Sequence, residues 1–63
     1  MKNREEFNMA VEDIYDELLM KTEGRGMSWG EVSYIEGLSD SEANALYDKC
    51  FNELSKIEEK ENK

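Results

Sequence analysis

The chain has 63 residues and a formal net charge of −8, from 16 acidic and 8 basic side chains, with one cysteine and no histidine. That length allows a single domain, the cysteine count excludes an intrachain disulfide, and the missing histidine argues against a zinc site and removes the usual general base. So acidic a surface repels phosphate backbones and anionic lipid and is complementary to a basic protein surface.

There is no proline, and the glycines at 24, 26, 30 and 37 lie between or near the ends of periodic segments. Such glycine punctuation, without sustained period-two alternation, predicts an all-α fold. The expected architecture is a small three-helix domain of two longer amphipathic helices joined by a short one. The opening segment MKNREEFNMAVED has no secretory apolar region, and no apolar run approaches a membrane span. With one unpaired cysteine, a cytoplasmic location is expected.

The first helix is expected over about 3–23. Asn3 is a good N-cap with Glu6 three residues later. Phe7, Ala10, Val11, Ile14, Tyr15 and Leu18 form one stripe at helical spacing. Gly24 follows as a stop. The opposite face carries Glu5, Glu12, Asp13, Asp16 and Glu17, with Met9 and Met20 projecting among them and Leu19 at the flank.

The second helix is expected over about 28–37, capped by Ser28 with Glu31, with Trp29, Val32, Ile35 and Leu38 as its apolar positions. The third is expected over about 40–58, capped by Ser39 with Glu42. Ala43, Leu46, Tyr47, Cys50, Phe51, Leu54 and Ile57 fill one arc of its surface. The polar tail, 58–63, is expected to fray.

The stretch EVSYIEGLSDSEANAL, residues 31–46, resembles the opening of response-regulator helix-turn-helix domains. The resemblance implies helix packing around a Gly-Leu-Ser joint. In that family a second turn and a recognition helix follow. Here NALYDKCFNELSK continues one apolar stripe, so no DNA-contacting residue carries over.

Neither a calcium loop, nor a phosphate loop, nor a metal-spaced cluster occurs, and Cys50 falls within an apolar stripe. No enzyme activity, cofactor or metal is expected. The expected partner-binding residues are Glu5, Met9, Glu12, Asp13, Asp16, Glu17 and Met20, apolar anchors within one sign of charge. Three functional classes follow. The first is a non-catalytic regulator or inhibitor that binds a basic protein partner, similar in kind to phage-encoded or mobile-element proteins that bind host factors. The second is a nucleic-acid mimic seated in a basic groove. The third is a diverged helix-turn-helix regulator, although direct nucleic-acid binding is disfavoured by charge. A core this small cannot hold Phe7, Tyr15, Trp29, Tyr34, Tyr47 and Phe51 together, so homodimerisation through leftover aromatics is a further expectation.

Overall fold

The computed structural model describes residues 3–61. They form three helices: α1 (Arg4–Glu23), α2 (Trp29–Glu36) and α3 (Asp40–Glu61). The fold is all-α, two long helices with a short one between them, as the periodicity predicts.

Local chemistry sets each boundary. The Asn3 side chain accepts from the backbone N–H groups of Glu5 and Glu6, satisfying donors that the first turn of α1 leaves open. Gly24 ends α1 at φ 70°, in the left-handed region, and its N–H donates to the carbonyls of Leu19 and Met20. Ser28 and Glu31 exchange side-chain and backbone hydrogen bonds at the start of α2, and Ser39 and Glu42 do the same at the start of α3.

α3 extends to Glu61, past the expected end near residue 58. Glu and Lys are good helix formers, so propensity carries this polar turn where packing does not. Residues 62 and 63 of the expected tail lie outside the described residues.

α2 returns the chain toward the start of α1, so α3 begins beside Arg4. Nη1 of Arg4 lies 2.8 Å from Oδ1 of Asp40, Nη2 donates to the Ile35 carbonyl, and Nε donates to Asn8. Further along, the rings of Phe7 and Tyr47 are 6.0 Å apart, and Ile14 and Leu54 line one groove. The contacts advance in step, so α1 and α3 run in the same general direction. The molecule measures 38 × 23 × 15 Å.

The buried core is Val11, Leu19, Ile35, Ala43, Cys50 and Leu54. Two sequence expectations are corrected. Leu19 is buried and not a flank of the acidic face. It lies about 80° around α1 from Val11 at ~100° per residue. α1 packs against both other helices, which widens its buried arc beyond a single stripe. Trp29, expected on the apolar side of α2, is 87% exposed. It is the first residue of α2, and helical side chains lean toward the N-terminus. At that end position it lies outside the core, while Ile35 is fully buried.

Candidate functional site

The acidic face of α1 is divided by its neighbours into two grooves and a structural contact. Asp16 makes the contact. Its Oδ1 accepts from the Met27 N–H at 3.0 Å and holds the 24–28 loop against the helix. A Cβ at Gly26 would stand 3.3 Å from the same oxygen, a tight contact that a shift of a few tenths of an ångström in the Asp16 side chain would relieve. Asp16 was expected to face a partner; its carboxylate is half-buried and occupied by the loop.

The first groove lies between α1 and α2. Glu5, Asn8, Met9, Glu12 and Glu36 line it, enclosing about 340 Å³. Three expected site residues, Glu5, Met9 and Glu12, therefore meet here, joined by Glu36 from α2. The Glu12 carboxyl is pushed above its ordinary range, first by desolvation and then by the nearby charges of Glu36 and Asp13. Met9 remains 65% exposed at its edge.

The second groove, of about 430 Å³, lies between α1 and α3. Ala10 and Ile14 from α1 and Tyr47, Phe51 and Leu54 from α3 supply its apolar lining, with Ser55 beside them. Asp13 and Glu17 stand on the α1 rim and Glu58 on the α3 rim, all exposed. Phe7, Tyr47 and Phe51 form a ladder along one edge, with successive ring centroids 6.0 and 6.5 Å apart. Phe51, more than half exposed, is the outermost ring. Asp13 and Glu17 were expected site residues; their α3 partners were not. Met20 is exposed near the end of α1, outside the lining of either groove.

Both arginines are engaged within the fold. Arg4 binds as described above. Arg25 pairs with both carboxylate oxygens of Glu31 at 3.0 and 3.1 Å and with Glu23 at 3.0 Å. The Arg25 hydrogen bonds, then the Ser28 N–H, hold the Glu31 carboxyl at about 2. Burial pushes the Cys50 thiol above its ordinary value, the reverse of what a reactive thiolate needs.

Among the described residues, no group of three or more His, Cys, Asp or Glu side chains could hold a metal ion, and no helix is long and apolar enough to cross a membrane. The α1/α3 groove has an apolar floor bounded by the carboxylates of Asp13, Glu17 and Glu58. Compared with known proteins, the chain matches no family model, no curated protein and no solved structure.

Proposed function

We propose that this chain is a small acidic, non-catalytic regulatory or inhibitory protein that acts by binding a protein partner with a basic surface. The observation that carries the reading is the α1/α3 groove, where exposed Phe51 and the half-buried side chains of Ile14 and Tyr47 lie between Asp13, Glu17 and Glu58. An apolar anchor point ringed by one sign of charge gives a protein interface both its energy and its orientation. A mimic would engage a partner's phosphate-binding groove mainly through its carboxylates, so the apolar floor between them favours an anchored protein interface over nucleic-acid mimicry.

The test is affinity capture from nuclease-treated extract of the source cells, washed at low and at high salt. The baits are the wild-type chain and the Asp13→Asn/Glu17→Gln variant. The expected result is a basic protein that wild type retains through both washes and that the variant retains less well at low salt, the difference narrowing at high salt. A nucleic-acid-binding protein released by salt and by added DNA would support mimicry instead. Capture of nothing would overturn the reading.

A further inference from the structure

The α1/α3 groove has a definite length, lining and charge, and these constrain its occupant. From Tyr47 to Glu58 the α3 wall rises about 16 Å at ~1.5 Å per residue, or three helical turns. Every backbone segment along the groove is helical, so its walls present no strand edge that could pair an extended peptide. A helix, whose backbone hydrogen bonds are internal, docks on such walls through its side chains alone.

The charge selects the sign. Asp13 and Glu17 are one turn apart on α1, and Glu58 faces them from α3. A second copy of this chain docked symmetrically through the same groove would set these three carboxylates against their equivalents, a like-charge interface. A cationic occupant turns the same rim into attraction.

We infer that the α1/α3 groove is a docking site for a cationic amphipathic α-helix of about three turns. Its apolar side covers Ile14, Phe51 and Leu54, and its Lys or Arg residues meet Asp13, Glu17 and Glu58. This inference rests on the proposed function and names the partner's interacting element.

The test titrates the full chain, labelled with ¹⁵N, with a synthetic three-turn peptide. The peptide carries Leu on one face and Lys elsewhere. A second peptide has the same composition in an order that destroys the apolar face, and a third replaces each Lys by Glu. Amide shifts are expected within 10–17 and 47–58, with the first peptide alone. Phe51→Ala should weaken binding by about tenfold or more, because the ring is the outermost apolar contact. Glu17→Gln/Glu58→Gln should weaken it and flatten its salt dependence. Met9→Ala, in the other groove, should change affinity by less than about twofold. Phe51 and the two carboxylates are exposed, so these variants retain the fold, checked by helical circular dichroism.

Equal binding of the scrambled peptide, shifts centred on the Met9 groove, or no loss with Phe51→Ala would overturn the inference. So would a concentration-dependent dimer that Phe51→Ala abolishes, since a second copy would then be the occupant. The two proposals fail separately. If a captured cellular partner survives Phe51→Ala and is lost with Met9→Ala, the function stands and this groove assignment falls. If the peptide seats as described and no cellular protein is captured, the groove chemistry stands and the proposed function falls.

Discussion

Arg4 and Asp40 lie 2.8 Å apart although 36 residues separate them in the chain. The same guanidinium reaches the Ile35 carbonyl and Asn8, so one side chain ties the first turn of α1 to the last turn of α2 and the first turn of α3. Arg4→Gln should destabilise the fold by about 1–2 kcal/mol, the range for charge-assisted hydrogen bonds lost from a partly buried group. Asp40 is 68% exposed, so Asp40→Asn should cost well under ~1 kcal/mol. Urea denaturation of the two variants checks the asymmetry. Equal losses would mean that the ion pair, and not the carbonyl contact, carries the effect.

Two glycines at helix ends should respond in opposite directions. Gly24 sits at φ 70°, and Gly24→Ala should cost about 1 kcal/mol from backbone strain alone, because a Cβ there meets nothing within 4 Å. Gly37 sits at φ −86°, where any residue is at ease, and its Cβ would make an ordinary contact 3.5 Å from the Ser33 carbonyl. Gly37→Ala should be neutral or stabilising by up to ~1 kcal/mol through the unfolded chain's reduced freedom. Thermal melts of both variants decide the matter.

The Arg25–Glu31 pair makes stability depend on pH. The Glu31 carboxyl stands at about 2 in the fold against an ordinary value of 4.5. Between those values the unfolded chain binds more protons at this site than the folded chain does. The stabilisation is therefore fully present above 4.5 and is lost as pH falls toward 2. The melting-temperature difference between wild type and Glu31→Gln should hold from neutral pH to about 5, then shrink and vanish near 2. Because the pair is exposed to solvent, added salt should also narrow it.

Cys50 is 2% exposed in the middle of α3. Ellman's reagent should label it slowly in the native protein and fully in denaturant, at a native rate that rises with each destabilising substitution above. Rapid labelling of the folded chain would show that α3 opens locally at this point. Cys50→Ser, which places a hydroxyl among apolar neighbours, should cost about 1–3 kcal/mol.

The sequence made the helices legible because their causes are local. Ser28 with Glu31 and Ser39 with Glu42 close as capping pairs, and Gly24 stops α1 in the left-handed conformation that its position suggested. Leu19 and Trp29 were misplaced because a single-helix stripe does not reveal that α1 packs against two helices, or that the first residue of α2 overhangs the core. The candidate site divides in the same way. The carboxylates of α1 could be read as one face, and Phe51 was one of the aromatics that a core this small cannot hold. That Asp13 and Glu17 face Glu58, while Glu5 and Glu12 face Glu36, depends on how the helices pack. Asp16 looked equivalent to its neighbours until the Met27 N–H occupied it.

The shared direction of α1 and α3 also bears on how the chain reaches its fold. In an antiparallel helical hairpin the first tertiary contacts form across a short loop. Here Arg4 meets Asp40 across 36 residues, and Phe7 meets Tyr47 at a similar remove. Each of these contacts closes a long loop. Loop-closure entropy is therefore lost before most of the core forms, and folding rates fall as contacting residues become more distant in sequence. This protein should fold more slowly than its length and helix content alone suggest. Substitutions at the Arg4 clasp that slow refolding would show that its contacts form before the barrier is crossed, and ones that only hasten unfolding would show that they form after it.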